Sequence, residues 1–291
     1  MKRFFLFFVF SAFLFQANAQ LLWKVTGKGL KKPSYLFGTH HLISVDFLDS
    51  VPDLYKAFNA STGVVGEVVL NNVDVSAKIQ EAAMLPGKLT MDSLIRDSSD
   101  YKLVDKKLRS VLNLPLKKVA KMNPTLILTL YEMELMKKTL KKTDDIQSDS
   151  YFQLVGAEKG KNIYALESVD DQIKALFGNG SLQRQTEVMV STIKENNESV
   201  LAEMNQLNSM YKSGNLQQLE RLSERKEKTY DMTAEEFDRL VSDRNIKWMK
   251  KLPALMASES CFIAVGALHL TGENGLIRLL QKSGYKVKPV K

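Results

Sequence analysis

Cys261-Phe262-Ile263-Ala264-Val265-Gly266-Ala267-Leu268-His269 runs five apolar residues into a glycine, with a histidine three positions on. The apolar run has the length and composition of a buried strand, and the glycine marks where the chain turns or where a second backbone comes close. Tyr35-Leu36-Phe37-Gly38-Thr39-His40-His41 repeats the arrangement near the other end of the chain. The chain has three histidines, so these two frames hold its whole imidazole supply. Histidines at the carboxyl ends of two strands stand where open α/β sheets build their sites. Either histidine alone reads as an ordinary hydrogen-bonded residue; two in one frame favour a shared site.

Outward from these frames, the chain reads as strand-rich ends around a helical middle. Leu21 to Lys28 and Ser34 to Leu42 are expected strands, joined through Gly29-Leu30-Lys31-Lys32-Pro33 as a hairpin. Pro52 to Ser61 reads as a helix, Gly63 to Leu70 as a third strand, and Asp74 to Met84 as a helix capped by its aspartate. Met91 to Lys142 is helical, with one run entered through Pro124. Asn162 to Leu166 is a strand, followed by a helix that Ser168 caps with Asp171 three residues on. Leu182 to Met256 is a long helical stretch broken at Gly214 and near Thr233; helix Asn274 to Ser283 and strand Tyr285 to Val290 close the chain. The expected fold is mixed α/β (α+β): a central mixed sheet built from N- and C-terminal strands, capped by a helical section over residues 91–256. No repeat or low-complexity linker divides it, so residues 20–291 are expected to form a single domain.

Met1 to Gln20 reads as a cleavable export signal. Lys2 and Arg3 precede an apolar stretch from Phe4 to Phe15, and Ala17-Asn18-Ala19 matches a small-residue cleavage pattern. The expected destination is the periplasm or the exterior, with no membrane span after signal removal. Cys261 is the single cysteine, so no intrachain disulfide is possible, and its place in an apolar strand predicts a buried, inert thiol. The formal charge of +8 falls to +6 once Lys2 and Arg3 leave. Its lysines come as pairs such as Lys106-Lys107 and Lys117-Lys118 interleaved with acids, the pattern of a solvated surface rather than of a nucleic-acid stripe.

Glu67 interrupts Val64-Val65-Gly66 and Val68-Val69-Leu70. An ionised carboxylate inside so apolar a strand costs several kcal/mol unless it is paired or bound to a cation. On an edge strand it would simply face solvent. Beside the two histidine frames it would complete a two-histidine, one-carboxylate set with His41 and His269, which suits a divalent metal with a position open for water. A second polar group comes from the middle of the chain: Glu167 at the end of the strand Asn162 to Leu166, Gln172 beyond it, and Arg244-Asn245 in a helix. Gln172 reads as surface. Glu167 and Arg244 read either as plain surface or, at least as readily, as a buried ion pair tying the helical cap to the sheet.

In these residues the sequence resembles the TraB/GumN family, which also contains the animal TIKI metalloproteases. The matching pieces are Leu22-Trp23-Lys24-Val25 leading to Ser34 through His41; Val64-Val65-Gly66-Glu67; Asn123-Pro124; Ala165-Leu166-Glu167 with Gln172; Asp243-Arg244-Asn245; and Ala264 through Leu270 with Gly272, Gly275, Leu279-Leu280 and Gly284-Tyr285. The resemblance implies a metal-dependent hydrolase of peptide bonds. It makes His41 and His269 metal ligands and Glu67 a third ligand or the general base. The catalytic set would be Glu67, Arg244 and Glu167, with Arg244 on an oxyanion or a substrate carboxylate. The cofactor would be a divalent ion (zinc, manganese or cobalt), and the partner a peptide or protein substrate, not nucleic acid. The family is also related to erythromycin esterase and ChaN-like proteins by a common core, so an esterase, or a protein that sequesters a peptide signal without turnover, stands beside the peptidase. Two positions depart from the pattern. His40 stands where an apolar residue is expected, leaving two adjacent histidines as ligand candidates, and Ser148 precedes Asp149 where glycine is expected.

Overall fold

The computed structural model describes residues 20–69, 73–140 and 148–290; the export signal read in residues 1–19 lies outside them. Six strands form one mixed sheet in the order β4-β3-β5-β2-β1-β6. β1 (Leu22–Thr26) and β2 (Ser34–Thr39) pair antiparallel as the expected hairpin. Its turn is carried by Gly27 and Gly29, both in the left-handed region at φ 85° and 77°. β2 runs parallel to β5 (Cys261–Gly266), β5 parallel to β3 (Gly63–Gly66), and β3 parallel to β4 (Asn162–Ala165). β6 (Lys286–Pro289) closes the other edge, antiparallel to β1.

The opening stretch is therefore the central strand. Residues 261–265 are all buried, as a parallel strand covered on both faces must be. Cys261 is buried and unpaired, as expected. Phe37, Phe58, Phe152 and Phe262 pack as a ring cluster, with centroids from 4.7 Å (Phe152 to Phe262) to 6.1 Å (Phe37 to Phe262). Phe152 arrives on the helix Ser148–Glu158, which fits close because Gly156 has no Cβ; one there would lie 2.7 Å from Val64 Cγ2.

The helical middle holds a second apolar cluster, including Val104, Leu108, Ile127, Tyr131, Met189 and Ile193. It is built by the helices Ser98–Leu112, Pro124–Leu140 and Leu182–Lys194. The expected run from Met91 to Lys142 is thus interrupted: Asn113 turns left-handed at φ 58° and ends one helix, and Pro124 starts the next. The stretch from Leu182 breaks at Gly214 and before Thr233 as read, and also at Asn196, whose side chain caps Asn197–Lys212.

β3 is shorter than the reading from Gly63 to Leu70. It ends at Gly66, so Glu67 follows the strand instead of interrupting it. β3 lies between β4 and β5, which rules out the solvent-facing edge strand. Among the described residues no helix is long and apolar enough to cross a membrane.

Candidate functional site

Because β2, β5, β3 and β4 are parallel, their carboxyl ends share one rim of the sheet. Thr39 lies opposite Gly266, and Gly66 opposite Ala165. The two histidine frames touch directly: a Cβ on Gly38 would meet Ala267 Cα at 3.0 Å, so glycine is needed for backbone clearance. The Glu167 N–H donates to the Glu67 carbonyl at 3.0 Å, which extends the β3–β4 ladder one step and sets two glutamates side by side.

Glu67 reaches back over β5. Its Oε1 accepts the Gly266 N–H at 2.9 Å, and its Oε2 accepts from Arg244 Nη2 at 2.6 Å and Gln172 Nε2 at 3.3 Å. Burial works against its charged form, yet the charge of His269 when protonated, the Arg244 guanidinium and the two hydrogen bonds outweigh it and bring the carboxyl down to about 2. The Arg244 and Gly266 contributions persist at neutral pH, so Glu67 is ionised there.

Arg244 stands at the middle. The turn before it, Asp238–Ser242, is wound as a π-helix, a feature frequent at functional sites. Its Nε donates to Glu167 Oε2 at 3.0 Å and its Nη2 to Glu167 Oε1 at 2.6 Å. Nη1 donates to the Leu240 carbonyl at 2.9 Å and meets His269 Nε2 at 3.1 Å. With the bond to Glu67, all five guanidinium N–H groups are engaged within the chain. Trp248 Nε1 donates to Glu167 Oε2 at 3.1 Å, and its ring lies 4.9 Å from the guanidinium carbon.

His269 sits in the tight turn Ala267–Leu270 after β5, its ring 4.3 Å from that of Trp248. Asn245 Nδ2 donates to the carbonyls of His269 and Asn274, at 3.1 and 2.8 Å, which turns Oδ1 toward His269 Nδ1 at 2.7 Å. That nitrogen therefore carries the proton. Nε2, facing a guanidinium that can only donate, keeps its lone pair. Burial lowers the ring's pKa to about 4, with Arg244 and His41 adding to the effect and Glu67 opposing it.

The geometry at the rim sets the two Gly-x-x-His frames in contact and joins the acidic turn after β3 and the Arg-Asn pair on one neutral histidine. The chain belongs to the TraB/PrgY/gumN family. The family match spans residues 21–289, nearly the whole chain. Comparison with curated proteins and with solved structures gives no match.

Of the TraB/PrgY/gumN residues singled out in the sequence, Glu67, Glu167, Arg244, Asn245, His269 and Gln172 converge. His41 is exposed at the end of β2, close enough for its charge to act on His269. His40 is engaged differently: its Nδ1 accepts the Leu42 N–H at 3.1 Å and its ring packs edge-on against Tyr211, whose hydroxyl donates to the Gly38 carbonyl. Ser148 opens the helix that carries Phe152. Sequence reading missed Trp248 and the Gly266 N–H. A tryptophan four residues after Arg244 shares its helix face, which was the available signal.

With metal–ligand bonds of roughly 2.0–2.2 Å, two ligands of one ion stand up to about 4 Å apart. Glu67 Oε1 and His269 Nε2 are 3.8 Å apart, and each is in the protonation state a ligand needs. They fit a divalent ion as a pair. Among the described residues no three His, Cys, Asp or Glu side chains are assembled as a metal cluster, and His40 and His41 are the remaining imidazoles of the two histidine frames.

Proposed function

We propose that this TraB/PrgY/gumN chain is an exported metal-dependent hydrolase of peptide bonds. His269 and Glu67 would hold the divalent ion, with His41 as the third ligand. The observation that carries the reading is the pairing of a neutral, tautomer-fixed imidazole with an ionised carboxylate 3.8 Å away. Such a pair is arranged for a cation, and its backing by Asn245 is the outer-shell support that ligating histidines have. Export is read from the leader-like start of the sequence.

A bound divalent ion supplies an activated water and a polarised carbonyl. The chain's own residues supply orientation and charge. Glu67 is held ionised by Arg244 and the Gly266 N–H, which suits a ligand of a cation. Glu167 has both oxygens committed to Arg244 and one also to Trp248, so it anchors the arginine. Gln172 steadies the outer oxygen of Glu67.

The test uses the chain from Gln20, with zinc, manganese or cobalt added, and compares the native sequence with His41→Ala, His269→Ala and Glu67→Ala. Stoichiometric metal and peptide cleavage, both lost in the variants, support the reading. Tight peptide binding with neither metal nor turnover replaces it with a sequestering role.

A further inference from the structure

The Arg244 guanidinium lies against one of the two atoms that would bind an ion, His269 Nε2, and against the other oxygen of the Glu67 carboxylate. Its Nη1 covers the His269 Nε2 lone pair at 3.1 Å, and its Nη2 is 2.6 Å from Glu67 Oε2. The same Nη2 and Nε also form a two-point fork on Glu167, buried beneath Trp248. Nη1, the nitrogen on His269, takes no part in that fork.

We infer that Arg244 is a resident cation that closes the metal seat of the ion-free protein, and that a divalent ion enters by displacing its Nη1 from His269 while its fork on Glu167 holds. The inference rests on the metal reading above and adds a competitor to it. Charge requires a cation here in either state: a partly buried and a buried carboxylate face one guanidinium and one neutral imidazole, and without positive charge Glu67 and Glu167 would repel each other at a site of low solvent exposure. Geometry makes the two occupants exclusive. One imidazole lone pair accepts either an N–H or a metal, and a guanidinium and a divalent ion at that distance repel. The fork gives the displaced arginine a place to stay, since a bidentate guanidinium–carboxylate pair is the strongest contact it makes. The seat therefore opens by a short swing about Glu167, with no loss of the link between the helical section and the sheet.

Zinc affinity and stoichiometry, measured by calorimetry at fixed pH, test this on the native chain, Arg244→Gln, Arg244→Lys and His269→Ala. The inference expects one zinc per chain, bound at least tenfold more tightly by Arg244→Lys or Arg244→Gln than by the native protein, and none in His269→Ala. Unchanged or weaker binding in both arginine variants, with binding still lost in His269→Ala, overturns the inference and leaves the metal reading standing. No zinc in any of the four overturns both. Because the arginine variants leave buried carboxylates uncompensated and can fail to fold, the native protein labelled with 15N-arginine gives a second measurement. Saturating zinc is expected to shift the Arg244 Nη signals while its Nε–H signal stays protected; unchanged Nη signals overturn the inference.

Discussion

Asn245 and His269 are joined twice: the ring Nδ1–H donates to the amide oxygen at 2.7 Å, and the amide nitrogen donates to the histidine's own carbonyl at 3.1 Å. The side chain and the backbone of one residue are thereby fixed by one partner. Asn245→Ala is expected to free the ring to change tautomer and to lower metal affinity by about 10–100-fold. It also leaves the carbonyls of His269 and Asn274 short of a donor, for a stability loss of about 1–3 kcal/mol. Zinc titration followed by urea denaturation measures both; native affinity in a folded variant would remove Asn245 from the positioning role.

Trp248 is fully buried and holds Glu167 through its indole N–H. Trp248→Phe keeps a ring beside His269 and Arg244 and removes that donor. A loss of about 1–3 kcal/mol in unfolding free energy is expected, the range for a buried acceptor losing a partner. Equal stability of the two proteins would show the bond contributes nothing.

Glu132 lies on the helix Pro124–Leu140, and burial alone pushes its carboxyl up to about 7. The folded chain holds this proton more tightly than the unfolded chain, so its ionisation opposes folding. Stability is expected to fall as pH rises from about 4.5 through about 7 and then to level off. Glu132→Gln should melt several degrees above the native protein at pH 8 and together with it at pH 4. Equal melting at both pH values would refute the assignment.

Gly275 precedes the helix Leu276–Lys282 with an ordinary φ of −73°. Its lack of a side chain is a matter of space: a Cβ would stand 2.0 Å from the Thr271 carbonyl oxygen. Gly275→Ala must therefore shift the segment just after His269, costing more than the 1–3 kcal/mol typical of overpacking, because the obstacle is backbone. Thermal melting of the purified variant measures it, and a native melting temperature would contradict the geometry.

The strands were legible where apolar runs were short and bounded by glycine, which is why both Gly-x-x-His frames and the β1–β2 hairpin were placed correctly. Ser168 and Asp171 form the expected reciprocal cap before the helix Val169–Phe177. β3 was read too long because Val68 and Val69 continue the apolar pattern beyond the last paired residue, and pattern alone carries no record of where pairing stops. Glu67 was singled out on the premise of a charge within a strand, yet its need for partners held at the strand's end. The Arg244–Glu167 pair followed from residue type. Its extension to Glu67 and His269 required the sheet order, which places β5 between β3 and β2 and is invisible to local periodicity.

The sheet order also governs when the protein can assemble. The strand at its centre, β5, lies near the carboxyl end, and the Cys261 N–H reaches back to Ser34 Oγ across 227 positions. Until the ribosome has made residues 261–266, β2 and β3 have no common neighbour and the rim has no His269. Closing contacts at such separations is slow. The sheet of a nascent chain would thus stay unfinished through nearly all of its synthesis, while the helical cluster, built from residues 85–200, has all its members well before then.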